Sequence, residues 1–247
     1  MSESEPVRAE ISVPVMPAEY RAKVRIGFAL CCAALALAML YILGVSGAEL
    51  ISDETGVSVL KNYDSQMKLV GVVSEVSVDS LLIAGLVCLY LVPLGQRWRL
   101  ASSLLLAMLG VDVAILCLHV AGGDPVMLAL TEQLGLTLGW VELWVLAVLA
   151  ADAAESIERP DITYQTEIAG RLIIWGGFIW LAFMIWTFDL KRLGEPSAAA
   201  TADEFAIILG YGALILRLFA CARTVMICGG LAGALASSRP QSPGQAA

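Results

Sequence analysis

A single histidine, His119, stands in the 247 residues, and none of the four lysines falls inside an apolar run. One histidine is too few for a bis-His haem in a helical bundle, so a cytochrome b-type electron carrier is excluded. It also excludes an H-E-x-x-H zinc protease and any His-rich metal site. With no lysine in a span, a retinal-type Schiff base has no attachment point. A G-x-S-x-G elbow is missing. The six cysteines, Cys31, Cys32, Cys88, Cys117, Cys221 and Cys228, show no C-x-x-C spacing. All six lie in apolar segments, where cysteine behaves as a small hydrophobe, so neither a disulfide framework nor a zinc site is expected. These residues lead us to expect no cofactor and no metal.

Charge is scarce as well. Charged residues make up 15% of the chain, against about a quarter in soluble domains. The balance is acidic, with a net charge of -8 and a pI near 4.7. Nucleic-acid binding calls for basic patches and is excluded as a partner class. What replaces charge is apolar bulk: 59% of residues are hydrophobic and the mean hydropathy is +0.80. That bulk comes in blocks about as long as a bilayer is thick, which predicts membrane spans rather than a soluble core.

Six spans are predicted, near residues 26–45, 72–94, 100–120, 133–151, 172–190 and 205–225. Each holds about 20 residues, enough for a hydrocarbon core of ~30 Å. Helices are required because lipid cannot satisfy an open strand edge. The alternating segments of an outer-membrane barrel are not found. The expected fold is therefore an all-α, polytopic transmembrane bundle over 26–236, with tails at 1–25 and 237–247. The first block is longer than a signal-peptide core and is read as an uncleaved span. Loops are expected at 46–71 and 152–171, and the C-terminal tail SSRPQSPGQAA reads as disordered. Residues 224–236 fit an extension of the sixth span, a re-entrant piece or an interfacial segment equally well.

Orientation follows from Lys and Arg. Arg8, Arg21, Lys23, Arg25, Arg97, Arg99, Arg159, Arg171, Arg223 and Arg239 fall on one side, ten in all, against Lys61, Lys68, Lys191 and Arg192 on the other. The bias predicts cytoplasmic termini, and the expected location is the cytoplasmic (inner) membrane of a bacterium. Trp98 and Trp175 near the inner boundary and Trp186 near the outer one match an aromatic belt.

Ionisable residues inside a membrane are costly and are functional candidates by default. They are Glu75 and Asp79 in span two, Asp112 and His119 in span three, Glu142 in span four and Arg217 in span six. Asp112 and Glu142 lie ~18 and ~15 Å from the inner ends of their spans, near the midplane. Asp79, His119 and Glu75 climb outward, at ~24, ~28 and ~30 Å. Glu75 and Asp79 share a helix face at i, i+4. Together Glu75, Asp79, Asp112, His119 and Glu142 outline a proton or ion pathway. Arg217 matches Glu142 in depth and is expected to pair with it, or failing that with Asp112. Gly135 and Gly139 form a G-x-x-x-G beside Glu142 and predict a close contact for span four. Trp140 and Trp144 flank Glu142 as packing residues. Asp152, Glu155 and Glu158 read as a solvated acidic helix end, with a Mg²⁺ site on a phosphorylated lipid as the functional alternative.

Three functions fit these residues. The leading one is a non-catalytic subunit or scaffold of a membrane assembly, its charges bracing helices or docking a partner. The second is a proton, ion or small-solute transporter or channel using the intramembrane carboxylates. The third is a lipid-modifying enzyme, although a catalytic residue set is not found. The expected partners are membrane lipids, with a second copy or other membrane subunits.

Overall fold

The computed structural model describes residues 16–55, 64–122, 124–193 and 196–237. The remainder, including most of both predicted tails and the centre of the first loop, lies outside the described residues. The described residues form six helices: α1 (Ala18–Thr55), α2 (Asp64–Tyr90), α3 (Gln96–Ala121), α4 (Pro125–Ser156), α5 (Pro160–Leu193) and α6 (Pro196–Ser237). Among the described residues there is no strand. Each helix carries a stretch long and apolar enough to cross a membrane: Ala18–Gly44, Val70–Tyr90, Gln96–Ala121, Gln133–Ser156, Pro160–Trp186 and Ile208–Ser237. The chain is an all-α bundle of six such helices, as its hydropathy predicts.

The helices outrun the predicted spans. Residues 46–55 and 64–71, expected in a loop, are helical. The expected loop at 152–171 shrinks to a turn between Ser156 and Pro160. Hydropathy sees only the part of a helix that lipid must cover, whereas a helix continues into water while its backbone stays paired. The turn is set locally. Glu158 adopts a left-handed φ of 57°, and Pro160 opens α5 at the position where a missing N–H costs nothing. Residues 224–236 simply continue α6. At the other connections Gly95, with φ 138°, precedes α3, and Gly122, with φ 74°, ends it by donating its N–H to His119 O.

Consecutive helices pack as neighbours, and α1 also packs on α6, which closes a ring. In addition α4 touches α6 directly, so α5 sits outside the α4–α6 seam. The start of α1 and the end of α4 share one end of the bundle, where Met16 N donates to Ser156 O at 3.2 Å. The tightest crossing is α1 on α2. A Cβ on Gly27 would stand 2.9 Å from Gly85 O, and a Cβ on Gly85 would stand 2.9 Å from Gly27 O. Two backbones approach this closely only where neither carries a side chain.

Burial is unequal along the bundle. Toward the end that holds the start of α1, every helix buries side chains: Val24, Phe28 and Leu35 of α1, Leu86 and Leu89 of α2, Leu105 and Leu109 of α3. The same holds for Leu143 through Ala154 of α4, Ile162 through Ile173 of α5 and Ala220 through Leu235 of α6. Trp98 anchors this closed end. It is 1% exposed, donates its indole N–H to Leu89 O at 2.8 Å and meets Phe28 edge to face at 6.5 Å. It is a core residue rather than a member of the lipid-facing belt, unlike Trp175 and Trp186, which are exposed. Toward the other end, no described side chain is buried over 36–44 of α1, 70–84 of α2, 127–138 of α4 or 177–186 of α5.

Candidate functional site

Four helices carry charge into the bundle on their inward stripes. On α3, Asp112 continues the buried face of Leu105, Leu109 and Leu116 at helical spacing. On α4, Glu142 follows Gly135 and Gly139 and precedes the buried Leu146. On α6, Arg217 lies between the buried Ala213 and Ala220. On α2, Asp79 leads into Leu86 and Leu89. Each of these side chains is half-buried. An inward stripe is apolar by default, so charges there must find each other.

They do come together. The Asp112 and Glu142 carboxyls are close enough to act on each other. Asp79 lies within electrostatic reach of both, and Glu75 within reach of Asp79. The Arg217 guanidinium acts on Asp112 and on Glu142. Asp79, Asp112, Glu142 and Arg217, from α2, α3, α4 and α6, thus occupy one neighbourhood, with the exposed Glu75 at its edge beside Asp79.

The G-x-x-x-G of α4 is what lets these groups approach. The place of a Cβ on Gly139 is occupied by Arg217 Nη2, and a Cβ on Gly135 would stand 3.9 Å from Asp112 Oδ1. The groove in α4 therefore receives an arginine and an aspartate rather than the backbone of another helix. The direct ion pairs among the described residues are Arg97–Asp152 and Arg159–Asp161. Arg217 faces the carboxyl pair as a neighbouring charge. Glu142 Oε1 is buried and has no hydrogen-bond partner among the described residues.

The flanking tryptophans pack. Trp140 is 5% exposed, and its ring fills the place of a Cβ on Gly176 of α5. Trp180 of α5 donates its indole N–H to Thr137 Oγ1 at 3.0 Å. Trp144 is exposed. His119 stands apart from the carboxyls. It is exposed, and its Nδ1 hydrogen-bonds Ile115 O of its own helix at 3.0 Å. Seven residues separate it from Asp112, ~10 Å along α3.

At the closed end, Asp152 is not a solvated acid. It is 4% exposed and pairs with Arg97 Nε at 3.5 Å across α3 and α4. A buried carboxylate needs such a partner, and Arg97 stands at the matching end of the neighbouring antiparallel helix. Glu155 and Glu158 instead line an open cavity of about 340 Å³ with Arg159, Thr163 and Glu167. The three acids that recur every three residues therefore part company. No group of three or more His, Cys, Asp or Glu arranged to hold a metal occurs among the described residues. A second cavity of about 220 Å³ lies between α5 and α6, where Arg223 donates to Gln165 Oε1 at 2.9 Å. Neither cavity is lined by the carboxyl cluster.

Sequence reasoning singled out each charged member of the cluster. It did not anticipate that Arg217 would rest in the Gly139 groove, or that Asp152 would be covered. Comparison of the chain with protein families, with characterised proteins and with solved structures gave no significant match.

Proposed function

We propose that this multi-pass membrane protein is a transporter or channel that moves protons by way of Asp79, Asp112 and Glu142. The single observation that carries the reading is the imbalance of the cluster. A structural brace is served by equal numbers of opposite charges, since uncompensated charge within a membrane is expensive. Here three carboxyls, Asp79, Asp112 and Glu142, gather near one guanidinium. Such a group stays near neutrality by holding protons, and a site that holds protons on adjacent carboxyls can pass them along. In this scheme Glu75 and Asp79 lead from the far end of the bundle to the Asp112–Glu142 pair. Arg217 supplies the fixed positive charge that keeps the pair from retaining every proton. The Lys and Arg bias supports cytoplasmic termini, hence an entry from the outer face of the cytoplasmic membrane.

The test is proton flux into liposomes holding the purified protein, followed with an internal pH-sensitive dye under an imposed gradient. Asp112→Asn and Glu142→Gln are expected to abolish the protein-dependent flux. Equal flux from the wild type and both variants would overturn the proposal.

A second reading has its own support. The approach of Asp112 to Glu142 and the seating of Arg217 on Gly139 bring α3, α4 and α6 together, as a non-catalytic subunit or scaffold would require. On that reading the same variants lose stability or partner binding and show no flux difference.

A further inference from the structure

At the end of the bundle that holds the start of α1, α5 and α6 run on beyond their hydropathy-defined spans. Residues 160–171 of α5 precede the predicted start of span five, and residues 226–237 of α6 follow the predicted end of span six. Each stretch is ~18 Å long. Arg223 stands two residues inside that end of span six, a depth from which an arginine reaches out to the lipid headgroups. It lines the cavity of about 220 Å³ with Ile162, Gln165, Met226, Ile227 and Gly230, and is the one charge among these six. Arginine only donates, so the Gln165 amide must present its carbonyl oxygen, as the 2.9 Å contact from Nη1 to Oε1 shows. The Gln165 NH₂ is left as a second donor beside the guanidinium. This neutral amide occupies one of the five guanidinium N–H groups. The ion pairs Arg97–Asp152 and Arg159–Asp161 do not involve Arg223. Glu158 and Glu167 line the other cavity. A cluster of donors without a carboxylate, at headgroup depth, is a place for an anion.

The surface around Arg223 is ordered along the membrane normal. Phe219, Arg223, Met226 and Gly230 follow at i, i+4, i+7 and i+11 on α6 and share one face. Phe219 and Met226 are exposed. Phe219 lies toward the membrane centre and Gly230 toward the chain ends. A Cβ on Gly230 would meet nothing within 4 Å, so the groove is open there. From the membrane centre outward the face offers an apolar ring, a cation and an open notch. An acyl chain, a phosphate and a headgroup follow in the same order in a phospholipid.

We infer that the α5–α6 groove binds a monoanionic glycerophospholipid from the leaflet on the side of the chain ends. Arg223 and the Gln165 amide donate to its phosphate, and an acyl chain lies along Phe219. A zwitterionic lipid brings its own cation to the same phosphate, so the groove favours lipids that lack one, such as phosphatidylglycerol. One arginine at this depth is worth about fivefold in that preference. The site stands apart from the carboxyl cluster and does not depend on proton movement.

Native mass spectrometry tests this. The full-length protein is delipidated in detergent and titrated with phosphatidylglycerol or phosphatidylcholine, and binding of the first lipid is resolved. The wild type is expected to favour phosphatidylglycerol about fivefold. Arg223→Gln is expected to bring the two lipids to parity. Arg99→Gln removes an exposed arginine at the same end of the bundle and is expected to keep the preference. Gly230→Leu fills the notch with Arg223 still in place, and is expected to weaken both lipids. Circular dichroism checks that each variant keeps its helix content, and Gly230→Leu carries the test should Arg223→Gln fail to fold. A preference that survives Arg223→Gln would overturn the inference, as would an equal loss in Arg99→Gln, which marks diffuse surface charge. Wild-type binding of both lipids by Gly230→Leu would overturn it too. So would displacement of the lipid by millimolar inorganic phosphate, which marks a free-anion site. A dimer that Gly230→Leu dissociates would give the groove to a second copy and overturn it equally.

Discussion

The contact of Gly27 with Gly85 makes a sharp quantitative test of how the bundle is held. In Gly27→Ala the new methyl would stand 2.7 Å from Leu89 Cδ2 and 2.9 Å from Gly85 O. Leu89 is fully buried and has no space to turn into. The carbonyl belongs to helix backbone and cannot rotate away. The two helices must therefore separate, which loosens the packing of Phe28 and Trp98 nearby. Overpacking of this kind costs about 1–3 kcal/mol. Against it stands the gain of about 1 kcal/mol that alanine brings over glycine inside a helix. The net expectation is a loss of about 0–2 kcal/mol from the same two effects, against a gain in the control described next. Gly110→Ala in α3 is the matched control, because an added Cβ there meets nothing within 4 Å. It keeps the helix gain without the clash and should be neutral or stabilising. The assay is reversible unfolding in mixed micelles by titration with a denaturing detergent, read by tryptophan fluorescence and circular dichroism. Gly27→Ala as stable as Gly110→Ala would refute the close crossing.

Three further outcomes are expected. Trp98→Phe should lose about 1 kcal/mol through the missing N–H to Leu89 O, while Trp98→Ala should lose about 3–5 kcal/mol by opening a core cavity, both read in the same unfolding assay. Arg97→Ala should be more destabilising than Arg99→Ala, because it strands the covered Asp152. With the Arg97 side chain 68% exposed, the effect should stay near ~1 kcal/mol, and Asp152→Asn should relieve it in a double-mutant cycle. Gly139→Ala meets only the end of the flexible Arg217 side chain, so it should fold normally yet match Arg217→Gln in proton flux. Gly212→Ala, with open space around it, should leave flux unchanged.

Parts of this architecture were legible before any coordinates. Six spans stand out because lipid demands some 20 apolar residues at a stretch, and few soluble segments comply. The charges of α2, α3, α4 and α6 stand out for the same reason: each interrupts a run that should be apolar. Helix ends extend past the predicted spans because hydropathy reports the membrane and not the backbone. Trp98 departs from the expected belt because a tryptophan at a span boundary looks the same in sequence whether it faces lipid or core. Only the three-dimensional neighbourhood of Phe28 and Leu89 distinguishes them. The seating of Arg217 on Gly139 joins residues far apart in the chain, and a G-x-x-x-G does not announce what it admits. Asp152 resembled Glu155 and Glu158 in sequence, but the helix turns it toward Arg97 and turns the others toward water.

The packing of α1 against α6 carries a consequence for how the protein is made. Helices enter the membrane in chain order, at roughly 5–20 residues per second. Until α6 arrives, Cys32 of α1 lacks the Val225 carbonyl to which it donates in the finished bundle. Some 180 residues of translation separate the end of α1 from the end of α6, on the order of 10–40 s at those rates. During that interval the nascent chain is an arc with two unsatisfied edges, one on α1 and one on the latest helix inserted. Any ribosome that stalls before α6 leaves the arc open. Such truncated products should therefore be a preferred substrate for membrane quality control.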